Sequence, residues 1–160
     1  MKRRIAAAAI VALSVSTPAT ALAAAPSAAA PGQRSCSVLI DRHGHTLQTV
    51  CATGDRAPAL RGTGTASLSR TKLMTWFSDA QLHGDHTDIY GNAGDCDSSG
   101  YSVVPDSWWQ RNMSSIMSHN HCNTARLINH AGDATVRNLS TSFGGTPWND
   151  SVIHVRVYRH

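Results

Sequence analysis

The sequence contains no glutamate and only two lysines, Lys2 and Lys72. Because glutamate and lysine are among the best charged helix formers, their scarcity argues against a protein built from solvated α-helices. Glycine, serine, threonine, asparagine and aspartate separate short apolar stretches instead, and these residues favour turns and strand ends. We therefore predict an all-β fold.

The sequence has no apolar run long enough to span a bilayer. Residues 2–4 are basic, residues 5–15 are apolar, and Ala21-Leu22-Ala23 has small residues at the two positions that define a leader cleavage site. The apolar run is about half the ~20 residues that a membrane-spanning helix needs. We predict a signal peptide at 1–23 and a flexible linker at 24–34, and hence a secreted, extracellular protein without membrane contact after leader removal.

The sequence also lacks a basic cluster. Its 14 lysines and arginines exceed the 10 aspartates by four over the full chain. Three of those cations belong to the leader, so the mature chain carries eleven basic residues against ten acidic ones, spaced singly. This balance removes the main electrostatic argument for a nucleic-acid partner, and none is predicted.

Four cysteines are present, but none in a Cys-x-x-Cys spacing. In an exported chain they favour two disulfides, and spacing alone allows three pairings. We favour Cys36–Cys51, and Cys96–Cys122. The first would close a short N-terminal hairpin around Gly44, with a stabilisation of roughly 3 kcal/mol in the chain-entropy description.

Patterns of the common catalytic sites are missing. No Gly-x-Ser-x-Gly turn is present, and without glutamate a glycosidase would depend on aspartate pairs alone. Among nine histidines, His83 and His86 lie near Asp88, while His119 and His121 would share a strand face as an adventitious zinc or copper pair. Cys122 follows the second pair directly, so a structural zinc site is the alternative to a disulfide at this cysteine. We interpret the histidines as polar side chains exposed to solvent and predict that the protein is not an enzyme.

A degenerate internal repeat is the most informative pattern that is present. Residues 109–118, WQRNMSSIMS, return 39 positions later at 148–157 as WNDSVIHVRV. Each copy has a tryptophan, a polar corner and an apolar/polar alternation, which is typical of a turn that leads into a half-buried strand. We expect Trp109 and Trp148 to be core residues at the entrances of these strands.

The segments around the first copy resemble a Greek-key unit of the βγ-crystallin family. They are FSDAQLHG at 77–84, DCDSSGYSVVP at 95–105 and the first tryptophan corner. In such a hairpin Gly84 would supply a positive φ while Phe77 packs over the fold. A second, shortened unit begins with NTARLI and ends with the strand at 153–158.

This resemblance covers residues 72–160 and implies a sandwich of two Greek-key units. Residues 35–71 would precede it as a disulfide-linked hairpin and a long loop, either within the sandwich or beside it. The likeness is closest to exported single-domain members from filamentous soil bacteria, some of which inhibit metalloproteinases while others resemble killer toxins.

The family's calcium motif, which places two Asp or Asn residues before two hydroxyl residues, is split between the two corners. The first corner keeps the hydroxyls, Ser114 and Ser115, and the second keeps Asn149 and Asp150. If the corners exchange ligands, Asp150 and Ser114 could share one site, whereas the opposite combination would pair an arginine with an isoleucine. The resemblance therefore implies at most one weak Ca²⁺ site, and the alternative is that these side chains only cap tight turns.

These observations favour a secreted, non-enzymatic monomer that acts as a binding or inhibitory module. Its partner would be a secreted protease or a cell-wall polymer, held by a rigid loop. The candidates are the long loop between Cys51 and Lys72, which contains Gly62 and Gly64, and the loop before Trp109. The alternative is a structural or stress-related envelope protein without a ligand.

Overall fold

The computed structural model describes residues 32–61 and 70–160. The predicted signal peptide, most of the linker, and Gly62 and Gly64 of the long loop lie outside these ranges. Within them the all-β prediction is confirmed, because ten strands form two sheets and the helical content is one 3₁₀ turn, Trp109–Arg111. No helix in the described ranges has the length and hydrophobicity to cross a membrane.

The strands belong to a six-stranded and a four-stranded sheet. In chain order they are β1 (Arg34–Ile40), β2 (Thr46–Thr53), β3 (Thr71–Asp79), β4 (His83–Gly91), β5 (Tyr101–Val103), β6 (Ser115–Ser118), β7 (Thr124–Asn129), β8 (Ala134–Asn138), β9 (Thr141–Ser142) and β10 (Val152–Tyr158). The larger sheet has the order β2-β1-β4-β3-β6-β9, and the smaller has the order β5-β10-β7-β8.

The N-terminal hairpin of β1 and β2 is part of the larger sheet. Cys36 and Cys51 lie directly opposite each other in the antiparallel pair and form the first predicted disulfide, with a Cα–Cα distance of 4.1 Å. Gly44 turns the hairpin with φ +88°, and a Cβ there would collide with the carbonyl of Ser102. On its other side β1 runs parallel to β4, from Ser35 opposite His86 onward, so the hairpin extends the sheet and does not hang beside it.

The strand order shows an exchange between two successive groups of four strands. The first group, β3 to β6, keeps three strands in the larger sheet and contributes β5 to the smaller one. The second group, β7 to β10, keeps three strands in the smaller sheet and contributes β9 to the larger one. Trp109 and Trp148 therefore occupy equivalent places, each between the third and fourth strand of its group.

One hydrophobic cluster joins the two sheets. Trp109 is 3% exposed and lies edge-on to Trp76, with ring centroids 5.9 Å apart, and Trp148 is 7% exposed. Both tryptophans of the repeat are core residues, as predicted. Their burial removes two large apolar rings from water where each corner meets its strand.

The second predicted disulfide is also present. Cys96, in the loop between β4 and β5, bonds to Cys122, between β6 and β7, with a Cα–Cα distance of 5.0 Å. Both cysteines are buried. The structural zinc alternative at Cys122 is therefore wrong, because its sulfur is already bonded to Cys96.

Candidate functional site

The two tryptophan corners lie against each other. The backbone N–H of Asp150 donates to the carbonyl of Met113 at 3.1 Å, and the Ser114 hydroxyl donates to Asp150 Oδ1 at 3.0 Å. The carbonyl of Ser114 in turn accepts the N–H of Phe143 at 2.8 Å. The fold thus brings together two of the predicted metal ligands, although 36 residues separate them in the chain.

The other two predicted ligands differ in their surroundings. Asn149 Nδ2 donates to Asp150 Oδ2 at 2.6 Å, so this amide shares the corner. Ser115 is fully buried, and its hydroxyl donates to the carbonyl of Asp79 at 2.7 Å while accepting the N–H of Leu82 at 3.0 Å. Ser115 therefore closes the hairpin between β3 and β4, and its hydroxyl does not face Asp150.

The corner offers few oxygen ligands. Asp150 supplies one carboxylate, Ser114 one hydroxyl and Asn149 one amide, whereas calcium takes six to eight oxygens. In the part of the chain that the structure describes, no three His, Cys, Asp or Glu side chains cluster closely enough to hold a metal ion. The residues present do not make up a strong calcium site.

The loop before Trp109 presents an exposed apolar side chain on a fixed backbone. Val104 directly follows β5 and is 64% exposed. Asp106 Oδ1 accepts the N–H groups of both Trp108 and Trp109 at 2.9 Å, and Gln110 Nε2 donates to the carbonyl of Pro105 at 2.8 Å. Residues 104–108 are here called the Val104 loop. These bonds fix the loop to the 3₁₀ turn that follows it.

A groove of about 370 Å³ with both apolar and polar side chains in its lining runs beside the Val104 loop. The inner face of the N-terminal hairpin forms one wall, including Val38 and the Cys36–Cys51 disulfide. The Arg34 guanidinium lies at its rim, 5.2 Å from the centroid of the Trp108 ring. Val104 and Asp106 belong both to the loop and to the lining of the groove.

A second concavity, here called the outer cleft, opens on the opposite face of the six-stranded sheet. Its volume is about 600 Å³. Thr75 and Phe77 on β3 and His86 and Asp88 on β4 line it, whereas the alternate residue Trp76 points to the core side. The segment 55–57 forms part of the rim.

A hydrogen-bonded charge pair, Lys72 and Asp88, is part of the lining of the outer cleft. Lys72 Nζ lies 2.7 Å from Asp88 Oδ1, and the Thr75 hydroxyl donates to the same oxygen at 2.7 Å. His119 Nε2 lies 3.0 Å from Thr75 Oγ1, and since that hydroxyl gives its proton to Asp88, the imidazole is the donor there. Burial raises the pKa of Tyr90, and the neighbouring Asp88 charge raises it further, so this phenol stays protonated.

Sequence reasoning recognised His83, His86 and Asp88 as neighbours but missed Lys72 and Thr75. The two-residue alternation along β3 places Thr75 on the face of Phe77 and could have identified it. Lys72 could not have been found in this way, because a register irregularity follows it in the pairing of β3 with β4.

The expectation that His119 and His121 share a strand face is wrong. Strand β6 ends at Ser118, and His121 lies in the following turn with φ +63°. His119 Nε2 contacts the Thr75 hydroxyl on β3, whereas His121 Nδ1 lies 3.1 Å from Asp95 Oδ2. The turn therefore sends the two imidazoles to different partners, a hydroxyl for His119 and a carboxylate for His121.

His154 is a half-buried histidine with one buried ring nitrogen that has no hydrogen-bond partner among the described residues. Its Nε2 lies 2.8 Å from the Ser102 hydroxyl, while Nδ1 is buried without a hydrogen-bond partner among the described residues. Burial lowers the pKa of His154, and the charge of Arg126 lowers it further. Burial also lowers the pKa of His119, helped by Lys72 and opposed by Asp88.

We expect the protein to lose stability as the pH falls from 7.5 to 5. Both histidine pKa values are lowered in the fold, so below the unfolded value of about 6.5 the unfolded chain binds more protons than the native state. Urea unfolding at several pH values should show this decline, and His154→Gln should reduce it. His130→Gln, at an exposed turn, is the matched control. An unchanged midpoint between pH 7.5 and 5 would contradict the expectation.

Similarity to known proteins does not decide among these surfaces. No family model, no curated protein and no solved structure matches the chain. Its function has to be inferred from the geometry of the described residues.

Proposed function

We propose that this protein is a secreted, non-enzymatic binding module built from two Greek-key units of the βγ-crystallin type. The exchange of β5 and β9 between the two groups of four strands supports this architecture, since each fourth strand returns beside the first of its group. The hydrogen bond between Ser114 and Asp150 joins the equivalent corners of the two units. Two disulfides support export to an oxidising compartment.

The Val104 loop is the proposed contact surface, and a secreted protease is the proposed partner. The observation that carries this proposal is that Val104 is 64% exposed on a loop whose following residues are held by Asp106 and Gln110. A loop that is already ordered loses little conformational entropy when it enters an active-site cleft. An exposed apolar side chain on such a loop can fill a specificity pocket, as the anchor residue of an interface does.

Inhibition assays with a thermolysin-type and a subtilisin-type protease test this function. The mature protein should inhibit one of them, and Val104→Asp should raise the inhibition constant at least about 30-fold, because a charge would enter an apolar pocket. Val136→Asp is the matched control, since Val136 is 57% exposed on β8 and should leave inhibition unchanged.

Two outcomes would contradict the proposal. One is equal inhibition by the wild-type protein and the Val104→Asp variant. The other is survival of the intact protein with both proteases fully active, which would favour the alternative of a structural or stress-related envelope protein.

We propose further that any calcium binding is weak and confined to the corner that contains Asp150. With a dissociation constant of about 10⁻³ M, 10 mM Ca²⁺ would stabilise the fold by about 1.4 kcal/mol. Thermal unfolding with and without 10 mM CaCl₂ should show this difference in the wild-type protein and lose it in Asp150→Ala. Asp55→Ala, which removes an exposed carboxylate elsewhere, should keep it. Tight binding, or the same calcium effect in Asp150→Ala, would be inconsistent with this assignment.

A further inference from the structure

The outer cleft lies on a different face of the molecule from the Val104 loop. Phe77 and Asp88 line it, whereas Trp76 and Thr87, which directly precede them in β3 and β4, line the groove beside the loop. Because neighbouring residues of a strand point to opposite faces, a molecule in the cleft would not compete with a partner on the loop. The cleft volume of about 600 Å³ is within the range of small-molecule sites.

The polar groups of the outer cleft are held in place before any ligand arrives. Asp88 is only 8% exposed, and Lys72 and Thr75 both contact its Oδ1. Thr75 is held in turn by His119. Lys72 and Asp88 form a partly buried ion pair, and such a pair contributes little to stability compared with a well-packed apolar pair. Fixed donors and acceptors at the bottom of a cleft are what a hydrogen-bonding ligand requires.

An apolar platform lies beside these polar groups. The rings of Phe77 and His86 lie 5.9 Å apart with an interplanar angle of 33°, and both side chains are half-buried. Leu82 and Met117 extend the apolar part of the lining. The lining of the cleft is therefore amphipathic, because it combines an aromatic ring and aliphatic side chains with hydrogen-bonding groups. A pyranose has the complementary form, because one face presents C–H groups and the rim presents hydroxyls.

The charges of the outer cleft balance. Lys72 and Arg56 are offset by Asp55 and Asp88, and the remaining titratable groups of the lining are histidines. A site for a phosphate or a uronic acid would need an excess of cations. A neutral ligand with many hydroxyls does not need an excess of cations.

We propose that the outer cleft binds a neutral oligosaccharide, with one sugar ring on Phe77 and its hydroxyls bonded to Asp88 and Lys72. This inference goes beyond the protease-directed function proposed for the Val104 loop and does not depend on it. It gives the molecule two independent contact surfaces. A secreted protein of this kind would bind a polysaccharide through one face and a protease through the other.

The proposal is tested by titrating the mature protein with cellotriose, with N,N′,N″-triacetylchitotriose and with trigalacturonate. Binding is followed by calorimetry and by amide chemical shifts. We expect saturable binding of a neutral trisaccharide, shifts confined to β3, β4 and residues 55–57, and at least tenfold weaker binding of the acidic trisaccharide. Phe77→Leu keeps the apolar bulk but removes the flat ring, and it should weaken binding at least tenfold. Asp88→Asn should do the same.

Val136→Ala, on β8, is the control and should bind like the wild-type protein. If Asp88→Asn fails to fold, Phe77→Leu still tests the proposal. The melting temperature of Phe77→Leu is measured to show that this variant is folded. The proposal is overturned if neither neutral trisaccharide gives saturable shifts at 10 mM, or if folded Phe77→Leu binds as tightly as the wild-type protein. Failure here is separable from failure of protease inhibition, since Phe77→Leu should still inhibit and Val104→Asp should still bind sugar.

Discussion

Replacement of Trp109 by alanine is expected to lower the free energy of unfolding by about 3–5 kcal/mol. The ring is 3% exposed and packs edge-on against both Trp76 and Trp108, at centroid distances of 5.9 and 4.8 Å. Its N–H donates to the Thr87 hydroxyl at 3.1 Å. Alanine would leave a cavity between the sheets and an unpaired hydroxyl, and both effects destabilise the native state.

Urea unfolding monitored by far-ultraviolet circular dichroism measures this loss. Trp108→Ala is the matched control, because Trp108 is the adjacent residue but only partly buried, and about 1–2 kcal/mol is expected there. Trp109→Phe keeps most of the ring area and should recover most of the stability. A loss below about 1 kcal/mol for Trp109→Ala would show that this corner does not support the core.

The second large effect is expected for removal of the Cys96–Cys122 disulfide by a double alanine substitution. The bond closes a loop across a sequence separation of 26 residues, for which the chain-entropy description predicts roughly 3.5 kcal/mol. Both sulfurs are buried, so their loss also reduces core packing. We expect a total loss of about 3–5 kcal/mol in unfolding free energy.

The Cys36–Cys51 double alanine variant is the natural comparison. Its loop spans 15 residues, and β1 and β2 are already paired along their whole length. Cys51 is exposed, so little packing is lost. Denaturation should show the smaller decrease for this variant, and a larger one would mean that the hairpin depends on its disulfide for pairing.

Much of the strand and disulfide pattern could be predicted because it follows from local composition. The absence of glutamate and the abundance of turn residues were enough to predict an all-β chain. The hairpin closed by Cys36 and Cys51 requires only a turn at Gly44 between two short strands. The burial of Trp109 and Trp148 followed from a large aromatic residue recurring at the start of an alternating segment.

The candidate sites could be predicted only in part. The corner pair of Ser114 and Asp150 was anticipated from the repeat and from the family resemblance, and their hydroxyl and carboxylate are in contact. Ser115, its neighbour in the sequence, instead bonds to the hairpin of β3 and β4. A sequence indicates that a serine is present, but which backbone group its hydroxyl meets depends on packing.

By itself the sequence determined the class of the fold and the core tryptophans, because both depend on local propensity, whereas it favoured the two observed disulfides among three possible pairings. Only the tertiary structure decided that β1 runs parallel to β4 and that His119 contacts Thr75, whose hydroxyl donates to Asp88 in the outer cleft. These contacts join strands that are distant in the chain. Pairing of that kind is selected by the burial of the whole core, since no short segment carries enough free energy to choose its own partner.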